Sequence, residues 1–370
     1  MRYYIISGEA SGDLHGANLI KAIAKKDKDA HFRAWGGNLM ESAGATLVKH
    51  YKDLAFMGFW EVIKNLKTIL NNIKFCKQDI LQFKPNVVIL IDYPGFNLKI
   101  AKFLKKQNIK CYYYISPQVW AWHASRTKLL KAYVDKMFVI LPFEKDYFKT
   151  WNYEVEFVGH PLLDSISQRI PNANFRAENK LSDKPLIAII PGSRKQEINK
   201  MLPTMLQLAK DYKSFEFIIA GVNTLGESFY KKFNIPQNVK IIYNQIYAIL
   251  EHAHTAVVTS GTATLETALF EVPEVICYKG NIISYLIAKQ LVDLKYICLV
   301  NLILDKPVVD ELIQGDYNYK NLKSSFEKII HTGERRQEIL NEYKILKDML
   351  GNKGASEKTA TLMLNDLKNG

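Results

Sequence analysis

At 370 residues the chain exceeds what one hydrophobic core usually supports, so two domains of about 150 to 200 residues are expected. Hydrophobic residues make up 48% and charged residues 24%, which leaves little room for extended disorder and fits a packed globular protein. The formal net charge of +13 favours phosphates, anionic lipid headgroups or nucleic acid as partners, or else reflects lysine as the preferred surface residue. Cys76, Cys111, Cys277 and Cys298 form no C-x-x-C pair, so neither a zinc site nor a disulfide framework is suggested and a reducing, cytoplasmic compartment fits. Met1 runs straight into a strand-like segment without the features of a signal peptide, and no run approaches the roughly 18 apolar residues of a spanning helix. Any membrane contact is therefore expected to be peripheral.

Short apolar runs alternate with longer amphipathic ones, the pattern of an α/β chain with mostly parallel sheets. Residues 3–7 read as strand, 14–26 as helix, 32–35 as strand and 59–83 as a long helix. Further strands follow at 87–91, 110–115, 136–141 and 155–158. Around 168–184 the periodicity lapses into a stretch with Pro171, Asn172, Asn174 and Asn179 that reads as a linker. The alternation then restarts: strands at 186–190, 215–220, 239–243, 256–258 and 275–278, with helices at 198–212 and 264–270. From about Tyr319 the pattern is helical and charged. The expected domains are 1–168, 185–340 and a helical segment at 341–370.

Ligands of open α/β sheets bind beyond the carboxyl ends of strands, so the loops that leave strands are where chemistry is sought. The first such loop, Ser7-Gly8-Glu9-Ala10-Ser11-Gly12-Asp13, enters a helix, and its glycines allow close backbone approach to a ligand. It is not a dinucleotide fingerprint, because the glycines fall at Gly8, Gly12 and Gly16, and it lacks the lysine of a P-loop. The alternative is a tight turn capped by Asp13. The second loop follows the very apolar segment 87–91 and begins with Asp92, placed to act as a general base. Asp92 could instead cap the following helix, although Asn97 is better placed for a helix starting at Leu98.

In the third loop, Pro191-Gly192-Ser193-Arg194, amides, a hydroxyl and a guanidinium converge in a way suited to a diphosphate, unless it is a plain turn with a surface arginine. The fourth, Ser260-Gly261-Thr262 leading to Glu266, exposes a helix N-terminus to phosphate, and Glu266 could accept both ribose hydroxyls. Together the loops predict a nucleotide diphosphate held by the second domain and a base supplied by the first. The string Asp27-Lys28-Asp29 has the form of a metal-binding D-x-D but lies in a lysine-rich turn, so no metal and no cofactor are expected.

Read in order, GEASGD at 8–13, IDYPGFN at 91–97, SPQVWAW at 116–122, LPFE at 141–144, GHPLLD at 159–164, PGSR at 191–194 and SGTATLE at 260–266 resemble the lipid-A-disaccharide synthases of Gram-negative lipid A assembly. The Met57-Gly58 turn is similar to that family as well, and the likeness runs almost end to end. It implies a GT-B fold, two doubly wound Rossmann-like domains facing each other across a cleft, with C-terminal helices. It also implies inverting transfer of 2,3-diacylglucosamine from its UDP form to 2,3-diacylglucosamine 1-phosphate, giving a β-1′,6-linked disaccharide and UDP.

By that resemblance Asp92 matches the catalytic aspartate, Ser193, Arg194, Ser260, Gly261, Thr262, Glu266 and Asn301 match positions around the UDP-sugar, and Gly8, Glu9, Ser11 and Asp13 line the acceptor side. A homodimer and a place at the cytoplasmic face of the inner membrane are implied too. Gly95 stands where the family often has a second acid, so that acid's role does not carry over, and Val300 replaces the usual proline before Asn301, which bears on the shape of that loop. His15 is not required by the family pattern.

Phe56, Met57, Phe59 and Trp60 precede a helical pattern in which Ile63, Leu66, Leu70 and Ile73 interleave with lysines. Apolar tips beside basic side chains suit an acyl-chain and anionic-headgroup interface, or a helix packed on the sheet with its lysines in water. Two other functions stay open. A UDP-N-acetylglucosamine 2-epimerase would use a similar plan without an apolar acceptor surface. A nucleic-acid-binding protein would account for the charge, although no RNP-like motif, zinc spacing or recognition helix is present.

Overall fold

The computed structural model describes residues 1–53, 66–121, 124–280 and 295–369. The tip expected at Phe56, Met57, Phe59 and Trp60 lies outside the described residues. The chain divides into two compact units, Met1–Asp164 with Leu350–Gly370, and Ser165–Met349.

The first unit carries a seven-stranded, all-parallel sheet. Its strands are β1 (Arg2–Ile6), β2 (His31–Gly36), β3 (Ala45–His50), β4 (Val87–Ile91), β5 (Lys110–Tyr114), β6 (Lys136–Val139) and β7 (Glu156–Phe157), in the order β3-β2-β1-β4-β5-β6-β7. Every residue of β4 is buried, as a central parallel strand covered on both faces must be. Alternate side chains serve opposite faces. Tyr3, Ile5, Val87 and Ile89 meet Ala17 and Ile20 of the helix Ala10–Lys26, whereas Tyr4, Ile6, Val88 and Leu90 meet Ile100 and Leu104 of the helix Pro94–Lys106.

The second unit repeats the plan with β8 (Leu186–Ile190), β9 (Glu216–Gly221), β10 (Val239–Tyr243), β11 (Ala253–Thr259), β12 (Glu274–Tyr278) and β13 (Glu311–Ile313). The order is β10-β9-β8-β11-β12-β13, again all parallel. In both units the order reverses beside the opening strand, between β1 and β4 and between β8 and β11. The sequence pattern misses β3 and β13, both at sheet edges. β3 is only partly buried and carries Lys49 and His50, and β13 is three residues long, so neither presents a clear apolar run.

The chain end departs from the sequence expectation. The residue pattern sets 341–370 apart as a helical segment of its own, whereas the stretch from Leu350 onward clusters with the first unit. There the helix Ala355–Asn369 packs Ala360, Met363 and Leu364 into the core face shared with Tyr3, Ala17 and Tyr112. The splice is built from the Gly159–Asp164 segment. The His160 amide donates to the Leu350 carbonyl at 3.0 Å. Gly159, at φ +91°, lies so close to Gly351 that a Cβ on Gly351 would sit 3.5 Å from its Cα. Asp164 accepts from the Gly354 amide at 2.5 Å and the Ser356 amide at 3.3 Å, satisfying donors at the start of the terminal helix. At the helix end Asp366 accepts from the Tyr112 hydroxyl and pairs with Lys110 at 3.2 Å and Lys136 at 3.1 Å.

Removing the cap should loosen this splice. Asp164→Ala is expected to cost about 1–2 kcal/mol, read as a lower urea midpoint and faster hydrogen exchange in the helix Ala355–Asn369. Unchanged exchange there would show that the Asp164 carboxylate does not hold the helix.

Candidate active site

The four loops singled out in the sequence leave the paired strands at which each sheet reverses. In the first unit Ile6 is in register with Leu90, so the loops after β1 and β4 emerge side by side. In the second unit Ile190 is in register with Val258, which brings the loops after β8 and β11 together in the same way. Open α/β sheets bind ligands at such reversals, because adjacent connections run to opposite faces and leave a crevice.

At the end of β4 the backbone turns through two consecutive left-handed residues, Asp92 at φ 43° and Tyr93 at φ 51°. Neither is glycine, and each such residue is disfavoured unless its surroundings hold it. The Asp92 carbonyl accepts from the Asn97 side-chain amide at 2.7 Å and from the Tyr113 hydroxyl at 2.5 Å. Asn97 also donates to the Ile91 carbonyl at 3.2 Å. Asn97 therefore does not cap a helix beginning at Leu98. The helix begins at Pro94, and Asn97 is a buried clamp inside its first turn.

The Tyr93 ring stacks on Phe96 and closes over Gly8, where a Cβ would come within 2.4 Å of the ring. Gly8 is thus needed for contact between the two loops. Asp92 itself is reached by solvent at its surface, yet the surrounding protein still desolvates its charged form. That desolvation, and secondarily the negative Glu9, pushes the Asp92 carboxyl up to about 6. Glu9 is exposed at the N-cap of the helix Ala10–Lys26, and Ser11 is exposed in its first turn.

Asp13 departs from the acceptor-side expectation. It is buried, and its carboxylate accepts from the amides of Gly37 at 2.7 Å, Leu39 at 3.1 Å and Met40 at 3.1 Å. The carboxylate caps the helix Asn38–Ser42 rather than facing a ligand. His15 is kept neutral by burial, which lowers it to about 4, and its Nδ1 has no hydrogen-bond partner among the described residues.

In the second unit Gly192 adopts φ +103°, and a Cβ there would meet Glu197 at 2.7 Å. The Glu197 carboxylate accepts from the amides of Ser193 and Arg194, both at 3.3 Å, and pairs with the Arg194 guanidinium at 3.3 Å. Ser193 and Arg194 are exposed at the start of the helix Lys195–Asp211. After β11, Ser260 donates its hydroxyl to the Ile297 carbonyl at 3.3 Å, and Gly261 and Thr262 lie exposed at the start of the helix Thr262–Leu269. Glu266 accepts from the Tyr247 hydroxyl at 3.0 Å, and burial raises its carboxyl against that bond.

Asn301 is 1% exposed. It donates to the Val309 carbonyl at 2.9 Å and to Glu311 at 3.1 Å, and it accepts from the Val309 amide at 3.0 Å. Its side chain fixes the approach to β13, which accounts for an asparagine here without a ligand. Asp27, the first acid of the D-x-D string, holds the Met1 amine at 2.9 Å and the Tyr3 hydroxyl at 2.8 Å. That places it at the amino end of β1, at the opposite end of the strand from the loop that enters the helix Ala10–Lys26. No cluster of three or more His, Cys, Asp or Glu suited to a metal occurs among the described residues.

The raised Asp92 carboxyl has a signed consequence. The folded state holds a proton up to about pH 6, whereas the unfolded chain releases it near 3.8, so between those values stability falls as pH rises. Asp92→Asn removes this dependence. Glu9→Gln is expected to lower the Asp92 midpoint from about 6, measured by carboxyl-selective NMR titration, because it deletes a like charge. A midpoint unmoved by that change would discard the electrostatic coupling.

A family model described as lipid-A-disaccharide synthetase matches residues 3–364. The chain is 40% identical over 372 residues to the lipid-A-disaccharide synthase of Syntrophus aciditrophicus, covering 98% of this chain and 97% of that one. It is 36% identical over 366 residues to that of Coxiella burnetii, with the same coverage. Among solved structures, the fold is similar to a UDP-GlcNAc 2-epimerase from Neisseria meningitidis bound to UDP-GlcNAc, at TM-score 0.69 and 14% identity over 99% of this chain and 100% of that one. It is also similar to the glycotransferase of kitacinnamycin, at TM-score 0.67 and 11% identity over 99% of both chains. These two likenesses concern the fold, whereas the sequence matches span nearly the whole chain at a level that fixes kinship: the protein belongs to the lipid-A-disaccharide synthase family.

Proposed function

We propose that the protein transfers 2,3-diacylglucosamine from its UDP form to the 6-hydroxyl of 2,3-diacylglucosamine 1-phosphate, with Asp92 as the general base. The observation that carries this reading is the carboxylate at the β1/β4 reversal, raised to about 6 on a clamped turn. A base with its midpoint near neutrality is largely ionised at working pH and still basic enough to take a hydroxyl proton. As the acceptor oxygen attacks the anomeric carbon, Asp92 takes the 6-hydroxyl proton, the new C–O bond forms on the β face, and the α bond to the diphosphate breaks. UDP leaves with the bonding electron pair.

The loops after β8 and β11 would receive that leaving charge. The Arg194 guanidinium and the first-turn amides around Ser193, Gly261 and Thr262 suit an anion, and Glu266 suits a ribose hydroxyl. Glu197 would yield the Ser193 and Arg194 amides to the diphosphate. Both substrates bear acyl chains, so the enzyme would meet them at an anionic membrane surface. Among the described residues no helix is long and apolar enough to cross a membrane, and a peripheral approach fits the net charge of +13.

UDP release from purified protein should require both donor and lipid acceptor. Asp92→Asn should lower kcat by roughly 10²- to 10⁴-fold, and wild-type turnover in that variant would remove Asp92 from the role. Donor alone yielding an epimer would favour the epimerase chemistry instead. Arg194→Ala should weaken donor use by about 10- to 100-fold, the worth of a hydrogen bond to a charged group. An unchanged kcat/KM for the donor would place the diphosphate elsewhere.

A further inference from the structure

We propose that Glu144 is a positioning residue for the reaction, tying the loop after β5 to the turn after β6 and thereby fixing the backbone on which Asp92 stands. The inference rests on the reading of Asp92 as the base.

Glu144 opens the helix Glu144–Thr150 and is 1% exposed. One carboxylate oxygen accepts from the amides of Leu141 at 2.9 Å and Ile140 at 3.2 Å, immediately after β6. The other accepts from the Trp120 indole at 3.3 Å. Trp120 packs edge-on against Phe143, with ring centroids 4.9 Å apart, which locks the indole over the turn. A residue needed only to start the helix could be a short serine or aspartate. Glutamate at this position instead reaches a second loop and bridges it to the first.

That second loop is the one on which the Asp92 backbone depends. Ile115, directly after β5, is β-branched yet sits at φ +64°, a conformation that survives only where neighbours impose it. Its amide donates to the Phe138 carbonyl at 3.0 Å, and its carbonyl accepts the Asp92 amide at 3.3 Å. A continuous path thus runs from Glu144 through the Ile140 amide and the end of β6 to the Phe138 carbonyl, Ile115 and Asp92, while Trp120 ties the far side of the same loop to Glu144. Burial pushes the Glu144 carboxyl up to about 7, against the donors gathered around it.

The test uses the full chain carrying Glu144→Gln, Glu144→Ala or Trp120→Phe. Glutamine keeps one acceptor but turns an amide N–H toward a donor, so hydrogen exchange in peptides covering 91–97 and 115–121 should be faster than in the wild type. Turnover should fall by roughly 10- to 100-fold, the cost of a misplaced catalytic group, while KM for the UDP-sugar is unchanged. Glu144→Ala should lose more, and Gln should recover part of that loss. If Glu144→Gln fails to fold, Trp120→Phe, which removes the indole donor and part of the ring but leaves Glu144 in place, must show the same direction of change in exchange and kcat. Unchanged exchange at 91–97, or a rise in KM that accounts for all lost activity, would overturn the proposal. Faster exchange in Glu144→Gln together with wild-type kcat in Asp92→Asn would leave the clamp standing and discard Asp92 as the base.

Discussion

The first unit depends on holding a left-handed turn at the carboxyl end of β4. Asp92 and Tyr93 each resist that conformation by about 1–2 kcal/mol, so contacts that would otherwise be incidental become necessary. The Tyr113 hydroxyl and the Asn97 amide converge on one carbonyl oxygen, and Gly8 surrenders its side chain so that the Tyr93 ring can close. With the turn held, the Asp92 carboxylate stays at a place where burial raises it.

The second unit follows the opposite electrostatic logic. Where the first raises the cost of a negative charge, the second gathers donors: backbone amides at two helix starts and one guanidinium. Its loop after β8 turns on Gly192, whose positive φ brings the chain round so that Ser193 and Arg194 present their amides to one carboxylate, that of Glu197. Glu197 shows with a protein acid what the loop offers to an anion.

Much of this was legible in the residue order. Strands covered on both faces read as unbroken apolar runs, and each ends at a small or polar residue, so β1, β4, β8, β11 and the loops behind them stand out. Side-chain direction was not legible. Asp13, Asn97 and Asn301 are all polar residues in or beside motif loops, yet each is aimed inward at backbone groups brought near by tertiary contacts that no local spacing encodes. The same holds for the terminal helix. Its apolar stripe announces that it packs, but not on which unit, because any hydrophobic face would satisfy it. Glu144 illustrates the middle case: the string Leu141-Pro142-Phe143-Glu144 is visible, while the indole it holds lies on another loop.

The splice between Gly159–Asp164 and Leu350–Ser356 means that one unit is inserted within the other along the chain. During synthesis the ribosome completes β1 to β7 long before it makes Ala360, Met363 and Leu364. Throughout translation of the entire inserted unit, the apolar strip around Ala17 and Tyr112 stays uncovered. The half of the enzyme begun first is therefore the last to be finished, and a nascent chain released a few turns short of its end would carry a formed sheet with an open, adhesive flank.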